Sequence, residues 1–320
     1  MLDTIKIHIS PSYLTPELSQ HFRNILENQG YNRGEYGETY SGTLKNIRVK
    51  VNDGGITVEG SLPKYINGNN QLTLTKEQAE EGIKKLGEEL RLPLMEGKVK
   101  RLDTGAPIIS DLTAKELYQV CGEAPRFNRL EQNSGLYYAQ TKRYMALYDK
   151  GNELKKGEQL LDAFKGKHVL RYEYRWLCHQ TLAKDLGLTE VLMKDVFANY
   201  DILIKKWASA FLMIVKNHDM ITFNAEAFKD TASFNNQILI QGVERVGGLQ
   251  AVLQAINVAK DRGDFGKTNN LSYLKRKYTT LMTHPVLSEK SPVGKEVEDK
   301  VKAIAFAMGC PSIESQILNG

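Results

Sequence analysis

LYYAQTKRYMALYDK (136–150) and HVLRYEYRW (168–176) decide the fold of this chain. Both are rich in aromatic and branched residues and are bounded by polar breakers, the composition of β-strands. The first reads as a hairpin, 136–140 and 143–150, turning around Thr141 and Lys142. In a strand, side chains of equal parity share a face. Tyr144, Ala146, Tyr148 and Lys150 therefore point one way, and Met145 and Leu147 point into a core. In the second stretch Arg171, Glu173 and Arg175 share a face opposite Leu170, Tyr172 and Trp176. A third strand, KVKRLDT (98–104), sets Arg101 and Asp103 opposite Leu102. If the three are neighbours, one face of a sheet gathers a tyrosine, a lysine, two carboxylates and several arginines.

Outward from these strands, 2–9 alternates as another strand, and 16–28 reads as a helix ended by Gly30. The Gly- and Tyr-rich segment 31–42 reads as a loop. Ile47–Val51 and Ile56–Gly60 read as a hairpin around Asn52-Asp53-Gly54-Gly55. SLPKYINGNN (61–70) has the composition of a turn, by default an ordinary surface loop and alternatively one that brings Lys64 to DNA phosphate. Thr75 with Gln78 and Thr113 with Glu116 are capping boxes, the first opening a helix to about Arg91 and the second one to about Cys121. From Gln180 onward the period becomes helical: 189–216, 228–240, 248–260, 269–282 and 293–308. The expected fold is α+β, a central, mainly antiparallel sheet with flanking helices (1–185), followed by a helical C-terminal domain (186–320).

The 320 residues suffice for a sizeable core, and their 41% hydrophobic and 25% charged content is that of an ordinary globular protein. The longest apolar run, 207–215, is too short to span a membrane. Strand character from the first residues leaves no cleavable signal, and Cys121, Cys178 and Cys310 are far apart without a Cys-x-x-Cys pair. Both readings place the chain in a reducing cytoplasm. A net charge of +5 and a pI near 8.8 are compatible with a nucleic-acid partner. Segment 260–277 mixes Lys267, Lys275, Arg276 and Lys277 with Phe265 and Tyr273, a pattern that suits phosphate contact and base stacking and equally a solvated helix face. Gly263, Gly266, Lys267 and Thr268 do not make a nucleotide-binding loop, because Asp261 stands where its first glycine belongs.

The order Arg-Leu-Asp (101–103), Tyr-Asp-Lys (148–150) and Arg-Tyr-Glu (171–173) resembles the rolling-circle replication initiators of filamentous phages and related plasmids. The opening strand, the 61–70 segment and INVAKDRGDFGKTNNLSYLKRKY (256–278) extend the resemblance over most of the chain. It implies metal-dependent, sequence-specific nicking and rejoining of one DNA strand, in the cytoplasm of a bacterial host. It implies double- and single-stranded origin DNA as partner, with host helicase and polymerase, and it places the nucleophile at Tyr148. A relaxase-like mobilisation protein and a non-catalytic DNA-binding regulator that retains the fold are the rival expectations.

A tyrosine suits such chemistry because it stores the phosphodiester bond on the protein until a 3′-hydroxyl returns. Its phenol, with a reference pKa of about 10, needs a nearby cation to ionise at neutral pH, and Lys150 is the residue placed to supply one. Tyr138, Tyr144 and Tyr200 are further candidates, and Tyr148 also fits as one half-buried strand tyrosine among 15. Asp103 and Glu173 are expected to hold Mg2+ or Mn2+, since hard cations prefer oxygen. Many rolling-circle initiators use a His-hydrophobic-His pair instead, and the six histidines here form none. The same carboxylates also fit salt bridges with Arg101, Arg171 and Arg175, the latter three being equally placed to bind phosphate. Amide substitutions at Asp103 or Glu173 are expected to spare folding and stop nicking.

Overall fold

The computed structural model describes residues 1–34, 37–154, 160–215, 221–223, 225–265, 269–284, 288–290 and 293–310. Lys267 lies outside the described residues. The chain forms two compact units, Met1–Asn217 with Val293–Gly320, and His218–Pro292.

The first unit is built on one ten-stranded sheet. Its strands are β1 (Leu2–Ile9), β2 (Glu27–Gly34), β3 (Gly37–Leu44), β4 (Ile47–Asn52), β5 (Gly55–Ser61), β6 (Lys98–Ser110), β7 (Asn128–Gln132), β8 (Gly135–Ala139), β9 (Arg143–Asp149) and β10 (His168–Trp176). Their order is β2-β3-β4-β5-β1-β6-β10-β9-β8-β7, and every pairing is antiparallel. The fold is therefore α+β, as the alternating stretches imply. The tight turn Asp53-Gly54 joins β4 to β5, with the Gly54 amide donating to Asn52 Oδ1 at 3.1 Å.

Helices of this unit are α1 (Pro16–Ile25), α2 (Leu62–Asn67), α3 (Lys76–Leu90), α4 (Ala114–Val120), α5 (Lys150–Glu153), α6 (His179–Leu186), α7 (Met193–Ala198) and α8 (Tyr200–Leu212). Both capping boxes are formed, at Thr75/Gln78 and Thr113/Glu116. The apolar parity of β6, β9 and β10 packs under helices. Tyr172 meets Trp207 of α8 with ring centroids 5.1 Å apart, and Tyr172 donates its hydroxyl proton to the Trp207 carbonyl at 3.1 Å. Leu102, Leu147, Trp176 and Phe211 join the same buried core. This coverage leaves the polar parity to the opposite face.

The second unit holds α9 (Thr231–Arg245), α10 (Gly248–Asp261) and α11 (Asn269–Leu281), with a two-stranded ribbon of β11 (Ile221–Phe223) and β12 (Ser288–Lys290). Its small core gathers Ile240, Val243 and Leu281 with Leu249, Val252 and Tyr278. The last helix, α12 (Val293–Ala307), belongs to the first unit and packs on α8 and β6.

Five expectations change. The helix that opens at Pro16 ends at Ile25 with Leu26 as its cap, and Gly30 does not end it but lies inside β2, paired with Ser41. The division falls at 217/218 and 292/293 and not near 185, because α8 and α12 pack on the sheet, and α7 packs on α8 and joins the same core. Segment 31–42 is not a loop: β2 and β3 pair from Glu27 to Thr43, with Tyr31 and Tyr40 rings 5.1 Å apart. Residues 62–67 are helical, since Pro63 fits the first turn and Gly68 takes the left-handed cap with φ 75°. The helical period over 189–216 is interrupted at Asn199, which separates α7 from α8.

Candidate active site

Register brings the polar residues together. Arg175 pairs with Asp103 on one side and Tyr144 on the other, Glu173 with Gly105 and Ala146, and Arg171 with Pro107 and Tyr148. Directly paired residues share a face, so Arg101, Asp103, Tyr144, Tyr148, Arg171, Glu173 and Arg175 occupy one surface. The three-strand juxtaposition expected from parity is present.

Glu173 is the hub, and it is buried. Its Oε1 accepts from the Tyr148 hydroxyl at 2.7 Å and from Arg171 Nε at 3.2 Å. Its Oε2 accepts from Arg175 Nε at 2.9 Å and Nη2 at 2.6 Å. Asp103 is held by Arg101 through Nε at 3.0 Å and Nη2 at 2.7 Å, and Arg175 Nε stands 3.8 Å from its Oδ2. Gly105 lies beneath the hub, where an added Cβ would come 2.8 Å from Glu173 Cγ and 3.2 Å from Arg171 Nη2. Only glycine lets both side chains cross the strand there.

The arginines divide by exposure. Arg171 is 1% exposed and pinned on three sides, by Glu173, by Asp3, and by the Asn70 carbonyl at 3.0 Å. It is thus a strut of the fold and not a surface for DNA phosphate, contrary to its expected role. Arg101 and Arg175 keep 30% and 26% of their side chains exposed and can meet a ligand. Lys150 also departs from expectation. The strand ends at Asp149, which caps α5 by accepting from the Asn152 amide at 3.1 Å, and this turns Lys150 out of the strand parity. Its ammonium is buried, donating to Asn70 Oδ1 at 2.8 Å and paired with Glu153. The group facing the Tyr148 phenol is therefore a carboxylate. Lys64 stands on α2, outside this network.

Electrostatics follow from the contacts. Burial and the neighbouring Glu173 charge push the Tyr148 phenol far above its ordinary pKa. Burial also works to raise Glu173, but Arg171 and Arg175 overrule it and hold the carboxyl below its usual range. At Asp103 burial prevails over Arg101 and Arg175, and the carboxyl rises to about 6. A buried carboxylate whose two arginines do not fully offset its desolvation has room for more positive charge beside it. With Glu173 Oε2 turned toward the same Arg175 guanidinium, two hard oxygen donors converge on one cationic position. Among the described residues no group of three or more His, Cys, Asp or Glu side chains could hold a metal ion, and Asp103 and Glu173 offer two oxygen donors, both already paired with arginines.

Tyr144, Tyr148 and Arg175 open onto a groove of about 1310 Å3, walled by α4 and by the β7–β8 hairpin. Gly135 permits this close hairpin, since a Cβ there would stand 3.0 Å from Tyr148 Cβ and 2.6 Å from the Leu147 carbonyl oxygen. Tyr138 and Tyr200, the other tyrosine candidates, are buried in the core; the Tyr138 hydroxyl donates to the Gly122 carbonyl at 2.7 Å. In the second unit, Arg276 and Lys277 line a small cleft with Tyr273 and His284, whereas Lys275 lies on another side of α11.

Asp3, Asn70 and Glu153 join the network without a signal in strand parity. Asp3 has the wrong parity for that face, and it reaches Arg171 where the β1–β6 register shifts between Leu2 and Ile5. Asn70 belongs to the 61–70 segment singled out from the sequence, but it serves the fold by tying Arg171 to Lys150.

The chain matches no family model and no curated protein. Among the described residues no helix is long and apolar enough to cross a membrane.

Proposed function

We propose that this chain is a DNA strand nicking-and-joining enzyme that initiates rolling-circle replication through Tyr148. The observation that carries the reading is the Tyr148–Glu173 hydrogen bond of 2.7 Å, set among arginines at the edge of an open groove. A phosphodiester in the groove competes for Arg175, whose fork matches phosphate as well as carboxylate. Arg175 then loosens from Glu173, which becomes a better proton acceptor. The Tyr148 oxygen bonds to phosphorus, the bond from phosphorus to the 3′-oxygen breaks, and Glu173 passes the phenol proton to that oxygen. Rejoining runs the same transfers backward, so strand and protein end as they began. When bound, a Mg2+ or Mn2+ ion held by Asp103 and Glu173 supplies charge stabilisation to the phosphate. Arg171, Asp3 and Asn70 hold Glu173 in place throughout.

In this reading the partners are origin DNA, double- and single-stranded, and the host helicase and polymerase that extend the free 3′-end, in a bacterial cytoplasm. Exposed Arg276 and Lys277 on α11 supply further phosphate contacts. The test is incubation with supercoiled DNA of the chain's own element: Tyr148-dependent nicking with a covalent protein–DNA adduct is expected, and binding without any adduct rejects the reading.

A second reading, a DNA-binding regulator that retains the fold, draws on the burial of Tyr148 and the complete pairing of Glu173. It expects origin binding and an uncut strand.

A further inference from the structure

The ten-stranded sheet has two edges, β2 and β7. An edge presents backbone N–H and C=O groups without partners, and folded proteins blunt it with bulges, irregular backbone or charge. β2 is blunted: its register slips between Glu27 and Gly30, and Asn28 takes a left-handed φ of 49°. β7 is not. Its five residues, Asn128–Gln132, pair with β8 without a break and include no proline. Four of them are exposed, and Leu130 is 42% exposed. Its two charges, Arg129 and Glu131, are of opposite sign, so they select a partner and do not repel every one.

The hairpin fixes which groups face outward. Its two-residue turn, Asn133-Ser134, is closed by Gln132 and Gly135, a pair that in such a turn exchanges both backbone hydrogen bonds. Bonded and non-bonded pairs alternate along an antiparallel ladder. Asn128, Leu130 and Gln132 therefore turn their backbone groups to β8, and Arg129 and Glu131 direct theirs off the sheet. Among the described residues no other backbone group reaches them. For a second copy running antiparallel about a two-fold axis, the registers in phase with these groups centre on Arg129, Leu130 or Glu131. The first sets arginine against arginine and the last glutamate against glutamate, both unfavourable. Centring on Leu130 sets each Arg129 against the partner's Glu131 in a pair that exchanges both backbone bonds. Arg129 already pairs with Glu131 of its own chain at 2.8 Å, so the charges close into an alternating ring. Leu130 then meets the partner's Leu130 as a non-bonded pair, the closer kind, and Asn128 meets the partner's Gln132, amide against amide.

We propose that β7 is an interface between copies of this chain, two molecules pairing antiparallel through their β7 edges about an axis at Leu130 and joining their sheets into one. The pairing goes beyond the nicking reading and does not rest on it. Glu131 and Gln132 also line the groove beside Tyr148, so the axis sets two such grooves about itself. An edge of five residues buries little surface, so the association belongs to the weak, reversible class and grows with concentration.

Cysteine substitution reads the register directly. Single cysteines are placed in full-length protein carrying Cys178→Ser, since Cys178 is partly exposed whereas Cys121 and Cys310 are buried. A glutathione redox buffer lets disulfides form and exchange, and linked dimers are measured on non-reducing gels. Leu130→Cys should link to itself, because Cα atoms about 4.5 Å apart in a non-bonded pair lie within disulfide reach. Asn128→Cys and Gln132→Cys should each stay unlinked alone and should link when mixed; this mixture keeps Leu130 and both charges in place. Adding Glu131→Arg to Leu130→Cys sets like charges opposite each other and should cut the linked dimer about five-fold or more. In sedimentation the wild type should shift toward dimer as concentration rises, and Leu130→Lys, the residue natural edges use in defence, should stay monomeric. The proposal is overturned if Leu130→Cys links no more than Asn128→Cys alone, if the mixture stays unlinked, if Glu131→Arg leaves the linkage unchanged, or if the wild type is monomeric at every concentration.

Discussion

Tyr148 and Glu173 form one buried unit: the phenol donates to Oε1 at 2.7 Å, across strands β9 and β10, and Tyr148 meets the groove with little of its surface exposed. The pairing gives the tyrosine a fixed direction and an acceptor for its proton. Arg171 and Arg175 hold that carboxyl below its usual range, so in the proposed reaction it takes the phenol proton only once their hold loosens.

That geometry separates two substitutions that sequence reasoning treats alike. Glu173→Gln removes the charge that meets buried Arg171, leaving Asp3 as its sole counter-charge among its described contacts. Breaking a buried pair costs on the order of 3–5 kcal/mol. Asp103→Asn frees Arg101, which is 30% exposed and can turn to water, and leaves Arg175 its two bonds to Glu173. Urea denaturation should show a large drop in midpoint for Glu173→Gln and a small one for Asp103→Asn. Equal midpoints would mean that Arg171 does not depend on Glu173. The expectation that both amides spare the fold is thereby revised.

Asp103 also predicts a pH effect. Its folded pKa of about 6 lies above the unfolded value of about 3.9, so protonation favours the folded state. The contribution is fully present below about pH 4 and is lost as pH rises through about 6. Two units correspond to at most about 3 kcal/mol. Between pH 7 and pH 4.5, the stability of the wild type relative to Asp103→Asn should therefore increase. A constant difference would show that Asp103 titrates normally.

How much of this was legible beforehand follows the physics of each element. Parity and aromatic content gave the β6, β9 and β10 face, because alternation survives any strand order. The two capping boxes were readable for the same reason, being local. Lys150 was misplaced because a strand ends wherever a cap forms, and Asp149 looks like any other strand residue until Asn152 folds back on it. The depth of Arg171 was invisible: nothing local says that Asp3 and Asn70 will close over it. The β2–β3 hairpin escaped because its small polar residues carry no apolar period.

Phosphate contact by the second unit should appear in salt dependence. Arg276 and Lys277 share a cleft, and Lys275 does not. Neutralising the first two together should flatten the log–log slope of origin affinity against salt by about 1.8, at about 0.9 per contact. Adding Lys275→Gln should change it little further. An unaltered slope would move the DNA surface away from α11.

Chelation should separate binding from cutting. With EDTA, single-strand binding should persist while nicking stops, because Arg175 needs no cation but the reacting phosphate does. Undiminished nicking in EDTA would leave Asp103 and Glu173 as ion-pair partners only.

The central claim is tested most directly by mapping the covalent adduct. Wild-type protein is incubated with a cleavable strand and Mg2+, denatured, digested, and the nucleotide-bearing peptide identified by mass spectrometry. The account predicts a 5′-phosphate on the Tyr148 oxygen, absent in Tyr148→Phe, which keeps the ring and the binding. A nucleotide on Tyr138, Tyr144 or Tyr200, or no adduct at any metal concentration, would contradict it.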